Sequence, residues 1–209
     1  MENQKHNYQK ELEAIINKLD GTRKKVFLHS CCAPCSSYCM EYLREFFDLT
    51  VFFYNPNIVS IEEYEKRLEE LRRLILCYNK ESNFEIALVE GEYSPSSFYS
   101  AVKGLEQCKE GGERCFACFA LRLRESARRA KECGMDYFTT TLTISPLKNA
   151  EKINEIGQII ATEEGIAFLP CDFKKNNGYL RSIELSKKYG LYRQNYCGCA
   201  FSKQERNGD

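Results

Sequence analysis

Short runs of consecutive apolar residues alternate with longer stretches of helical periodicity along most of this chain, and that alternation most constrains its fold. The runs Val26–His29, Leu49–Tyr54, Phe84–Val89, Tyr137–Thr141 and Ile166–Leu169 read as strands. Their apolar residues are consecutive rather than alternating, which predicts strands buried on both faces. Helices are expected between them over 35–46, 61–78, 95–104, 116–132, 147–163 and 179–189. The pattern predicts an α/β fold, a parallel sheet with helices on both faces. Before the first strand, Leu12, Ile15, Ile16 and Leu19 share one helical face within 8–19. We therefore expect a helical extension over 1–24, packed outside a single domain over 25–209. Sheets of this class bind ligands beyond the carboxyl ends of their strands, where strand order reverses. If the first and fourth strands are neighbours, the segments after them, Cys31–Cys32 and Thr139–Thr143, line one crevice.

Cysteine is the anomaly, with twelve in 209 residues. Four form two tight pairs distant in sequence, Cys31–Cys32 in HSCCAPCS and Cys115–Cys118 in GERCFACFALRL. Four soft thiolates suit an iron–sulfur cluster or a tetrahedral zinc. An adjacent doublet can ligate two irons of one cluster and gives a poor bite for one zinc, so it favours the cluster. Cys118 is expected in the first turn of its helix, where backbone N–H groups favour a thiolate. Buried, inert cysteines are the plain alternative; that reading suits Cys39, Cys77, Cys108, Cys133 and Cys171. Cys35, three residues beyond Cys32, stands open as an extra ligand. A further pair, Cys197–Gly198–Cys199, could form a strained and easily reduced disulfide or remain two free thiols.

Charge is balanced, with 30 basic and 30 acidic residues, so no global field recruits nucleic acid. A polyanionic partner would need a local patch. Arg114, Arg122 and Arg124 lie near the second cysteine pair; Lys174, Lys175, Arg181 and Arg193 form another basic set. Solvated helix faces are the default reading for these. His29, at a strand end, is expected to be buried and hydrogen-bonded. There is no signal-peptide-like apolar core and no membrane-length run, so a reducing cytoplasm is the expected compartment and a membrane is not.

Taken together, HSCCAPCS, FFYNPNI, EYEKRLEE, EGEY, GGERCFACFALRLRESARRAKE, YFTTTLTISPLKN and DFKKNNGYLRSIELSKKYGLYRQNYCGC resemble the cobalamin-independent epoxyqueuosine reductases, the QueH family, over about residues 25–202. The resemblance implies a HUP-like fold, without the SGGxDS phosphate loop of ATP pyrophosphatases. It implies two-electron removal of the epoxide oxygen of epoxyqueuosine at the wobble position of tRNAs with GUN anticodons, those for Asp, Asn, His and Tyr. It further implies a 4Fe–4S cluster on Cys31, Cys32, Cys115 and Cys118, and a redox-active pair at Cys197 and Cys199. An additional mononuclear iron is implied too, with Cys35 as its candidate ligand, and an external electron donor. For this chemistry Asp172 and Tyr54, after strand ends, are candidate proton donors; Arg122, Arg124 and Arg193 are candidate substrate contacts. The rivals are a sulfonucleotide-reductase-like iron–sulfur enzyme, whose ECGxH motif is missing here, and a non-catalytic zinc-stabilised RNA-binding module.

Overall fold

In this computed structural model, which describes residues 6–207, the chain runs α1 (Tyr8–Asn17), β1 (Lys24–Ser30), α2 (Ala33–Leu43), β2 (Phe47–Phe53), α3 (Ile61–Glu81), β3 (Ala87–Glu90), α4 (Pro95–Ala101), α5 (Glu113–Glu132), β4 (Tyr137–Thr140), α6 (Ala150–Glu164), β5 (Ala167–Phe168), α7 (Gly178–Lys188) and α8 (Ala200–Asn207). The five strands pair in parallel in the order β3-β2-β1-β4-β5. The order reverses between β1 and β4, which are neighbours, with His29 opposite Thr140. The crevice expected from the sequence is therefore present.

Strand pleating divides the core into two layers. Val26 and Leu28 of β1, with Val51 and Phe53 of β2, pack against Leu12, Met40, Leu71 and Leu74 from α1, α2 and α3. On the other face Phe27, Phe52 and Phe138 pack against Phe119, Leu123, Ile153 and Ile160 from α5 and α6. Both faces are covered, which is why the strand sequences show no polar alternation.

Several boundaries differ from the sequence reading for identifiable reasons. α2 begins at Ala33 rather than 35, because Pro34 suits a first helical turn that needs no N–H. β3 starts at Ala87 rather than Phe84: the Asn79 side chain takes both backbone groups of Ile86, at 2.9 and 3.0 Å, and withholds it from the sheet. β4 stops at Thr140, whose hydroxyl accepts from Leu142 N at 3.1 Å and turns residues Thr141–Ile144 into a 3-10 turn. α5 begins at Glu113, three residues earlier than expected. α8 was not anticipated; it is short, polar and held by the Arg114–Glu205 ion pair at 2.7 Å.

At Gly157 of α6 the helix approaches β5 so closely that a Cβ would sit 2.6 Å from the Phe168 ring. Gly157→Ala is therefore expected to destabilise the fold by about 1–3 kcal/mol through overpacking, read as a lowered Tm in thermal unfolding. An unchanged Tm would mean that this contact relaxes freely.

Candidate metal centre and its basic cavity

The β1–α2 junction puts three thiols in one place. Cys32 is the extended N-cap of α2, and Cys35 lies one helical turn further on. The sulfurs of Cys31, Cys32 and Cys35 all lie within 4.8 Å of one another, with Cys31 and Cys32 at 3.7 Å. Ser36 Oγ donates to Cys32 O at 2.8 Å and fixes the junction. Across the switch point, Thr141 Oγ1 accepts from Cys31 N at 3.3 Å and reaches Cys31 Sγ at 3.5 Å. Hydrogen bonds from Cys32 and Cys35, then the charges of Lys148 and Arg122, hold the Cys31 thiol well below its usual range. Donation to Cys31 pushes Cys32 up to about 12, and hydrogen bonding to Cys31 and Cys32 raises Cys35 well above its ordinary value. Three sulfurs gathered this closely, one of them with its proton affinity lowered by the other two, suit a soft-metal donor set, because ligation replaces the thiol protons. The residues present fit such a metal.

Two of these thiols open onto a cavity of about 270 Å³ lined by Cys31, Cys35, Cys197, Arg67, Arg122, Lys148 and Arg193, among others. Its carboxylate, Glu110, faces Arg206 at 3.9 Å. The cavity is thus strongly cationic although the chain as a whole is neutral. Arg193 is exposed on its wall and donates to Ser186 Oγ at 3.0 Å.

Cys115 and Cys118 stand outside the compact trio. They line a second, smaller cavity with Cys197 and Cys199, and Cys197 borders both. Because α5 starts early, Cys118 falls in its second turn rather than its first. Burial, not the helix end, dominates its proton affinity and pushes it up to about 12. Cys115 is raised too, although Gly111 N donates to its sulfur at 3.2 Å.

The Cys197–Gly198–Cys199 segment is docked rather than loose. Arg67, only 2% exposed and paired with Glu63 at 2.6 Å, donates to Cys197 O at 3.1 Å. Asn57 Nδ2 reaches the same carbonyl at 3.4 Å. Gly198 has φ +112°, and a Cβ there would meet Ile58 at 2.8 Å and Arg67 Nη1 at 3.2 Å. Cys199 caps α8, with Ser202 N donating to its sulfur at 3.3 Å. Both cysteines are free thiols here.

The remaining predicted residues scatter. Arg124 is half out in solvent, bound to Glu163 at 2.7 Å and Glu164 at 3.2 Å, so its charge is spent against α6. Asp172 lies in a separate depression with Lys174 at 2.8 Å, and Tyr54 stacks on Phe52 at 5.8 Å; neither lines the cysteine cavity. These three positions follow strand or helix patterns that the sequence shows, but their side chains turn elsewhere. Arg122 does line the cavity, yet it is 1% exposed and held from inside. His29 is fully buried, as expected of a strand-end histidine; with the proton on Nδ1 it donates to Thr140 Oγ1 at 2.9 Å, which leaves Nε2, 3.1 Å from Tyr54 O, to accept from Arg122. Sequence reasoning missed Arg67, Asn57 and Lys148 as site residues. It also left Cys35 open, although CAPC at a strand–helix junction is itself a metal-binding spacing.

A profile of the epoxyqueuosine reductase QueH family matches residues 26–205. The chain belongs to the QueH family. It is 44% identical to the epoxyqueuosine reductase QueH of Staphylococcus epidermidis, over the whole of this chain and 90% of that relative. It is 41% identical to the QueH of Streptococcus pyogenes, over 99% of this chain and 82% of the relative. The QueH of Thermotoga maritima is 39% identical over 87% of this chain and 91% of its own length. No helix of this QueH-family chain is long and apolar enough to cross a membrane among the described residues.

Two outcomes test this geometry. Burial and then the Arg122 charge lower His29 from 6.5 to about 3. The unfolded imidazole therefore takes up a proton near pH 6.5, whereas the folded one stays neutral until about pH 3. The His29 contribution is complete above pH 6.5 and is lost as pH falls, by about 1.4 kcal/mol per unit. Urea unfolding of the metal-free protein at pH 7 and pH 5 should show a larger loss in the parent than in His29→Gln; equal losses would show that His29 titrates normally. Gly198→Ala should undock the CxC segment at a local cost of about 1–3 kcal/mol, and iodoacetamide should then modify Cys199 faster. An unaltered modification rate would mean that the segment is not held as described.

Proposed function

We propose that this chain is an epoxyqueuosine reductase acting on tRNA, and the observation that carries the reading is family membership over nearly the full chain together with a thiol-lined, cationic cavity at the sheet's switch point. The substrate is epoxyqueuosine at the wobble position of the tRNAs for Asp, Asn, His and Tyr, which share a GUN anticodon. The work is cytoplasmic, where those tRNAs are. Cys31, Cys32, Cys115 and Cys118 are the proposed holders of a 4Fe–4S cluster, and Cys35 the holder of an additional iron; bound there, they would supply electrons and electrophilic assistance to the epoxide. The trio's 4.8 Å spread supports the first half of that ligand set and puts Cys35 beside it.

The chain's own residues do the rest. Arg193 on the wall and Lys148 at the floor offer positive charge to the anticodon phosphates. Arg67 and Asn57 hold the Cys197 carbonyl and aim the CxC segment between the two cavities. Cys197 and Cys199 are proposed as the redox-active pair. In net terms, dithiol and epoxide give disulfide, alkene and water: two electrons and two protons leave the sulfurs, both C–O bonds break, and the oxygen departs as water. An external reductant of thiol or one-electron class must restore the dithiol. Asp172 and Tyr54 are not needed for that balance.

Cysteine variants test the reading through the nucleosides of digested tRNA. Cys31→Ala and Cys115→Ala should lose visible absorbance and turnover together. Cys199→Ser should keep the absorbance yet lose multiple turnover, because a lone thiol cannot supply both electrons. Full turnover by the alanine variants would reject the metal role, and undiminished steady-state turnover by Cys199→Ser would reject the relay. One equivalent of colourless zinc and no reduction would instead favour the RNA-binding alternative.

A further inference from the structure

Arg122 is a buried cation held only by neutral groups. Its Nη2 donates to Asn55 Oδ1 at 2.6 Å, and its Nε to His29 Nε2 at 3.3 Å. Asn55 is itself fixed by donating to Ser30 O at 2.9 Å, and His29 is fixed by Thr140. Among the described residues no carboxylate pairs with this guanidinium, and its Nη1 is buried without a hydrogen-bond partner. A buried charge left uncompensated costs several kcal/mol, so such an arrangement calls for an anion on its free side. That side is the cysteine cavity, which Arg122 lines together with Cys31. Cys118 stands four residues earlier on α5, hence on the same helix face. The Arg122 charge favours the thiolate form of both cysteines.

We infer that Arg122 is the built-in counter-ion of the thiolate centre, its bracketed Nη1 donating to sulfur between Cys31 and Cys118 so as to offset the negative charge gathered there. This rests on the metal-binding reading above. A phosphate of the substrate is the other anion such a group could take, but at 1% exposure the guanidinium sits within the wall, where sulfur is the nearer anion. The bracket matters as much as the charge: Asn55 and His29 leave the fork one free direction. As a positioning residue, Arg122 should raise metal affinity and make the centre easier to reduce, because a hydrogen-bonded cation favours the more negative state.

The experiment uses full-length protein, stripped of metal under anaerobic conditions and titrated with Co(II), which gives a sulfur-to-cobalt charge-transfer band on thiolate ligation. The parent should bind. Arg122→Met should bind roughly 10- to 100-fold more weakly, as loss of an outer partner does elsewhere, with partial recovery in Arg122→Lys. The iron-loaded Arg122→Met protein should have a more negative midpoint potential. Arg122→Gln removes the charge while keeping a donor for Asn55, and must show the same loss should Arg122→Met fail to fold. Equal Co(II) binding and equal potential in folded Arg122→Met or Arg122→Gln overturn the inference while leaving the metal reading standing. So does a change confined to KM for tRNA, which would assign the guanidinium to the substrate. A parent that binds no Co(II) through thiolate removes the metal reading and the inference with it.

Discussion

The parallel pairing of β1 with β4 is the contact on which the site depends. It opposes His29 to Thr140, ties their side chains at 2.9 Å, and delivers the next residues of both strands to one crevice. Thr141, first in the turn after β4, meets both the amide and the sulfur of Cys31, first after β1. From there the arrangement propagates outward. His29 and Asn55, the latter just after β2, both accept from Arg122, and Asn55 donates in turn to Ser30 O of β1. The strand ends that form the sheet thus also brace, from behind, the Cys31 and Arg122 wall of the cavity.

That wall reconciles a neutral chain with the proposed polyanionic substrate. Charges elsewhere largely cancel in pairs, as with Arg124 against Glu163 and Glu164, or Arg181 against Glu41 and Glu184. The cavity withholds such cancellation from Arg122, Lys148 and Arg193, so a local field exists without a global one. Concave, low-dielectric walls concentrate it on thiols that need it to ionise.

Much of this was legible in the sequence because the determining pattern is periodic. Consecutive apolar residues such as Val26, Phe27 and Leu28 can only be buried on both faces, and that implies covering helices and a parallel sheet. The adjacency of β1 and β4 was an inference that pairing made good. What stayed illegible depends on side-chain direction. Arg122 and Arg124 are two residues apart on one helix and look alike as letters, yet a rotation of roughly 200° sends one into the core and the other into solvent. Asp172 and Tyr54 share the strand-end position of true site residues, but face a lysine and an aromatic stack. α8 has too few apolar residues to announce itself, since a capping cysteine and the ion pairs of Glu205 and Arg206 hold it.

Loops from the switch point gather cysteine sulfur, which we propose holds a redox metal that the reaction needs. The most direct measurement is iron and acid-labile sulfide content of the anaerobically purified protein, with single-turnover reduction of epoxyqueuosine-containing tRNA on the same sample. Sulfur-ligated iron is expected in every active preparation, with reduction in proportion to it. Full reduction by folded protein containing no metal would contradict it.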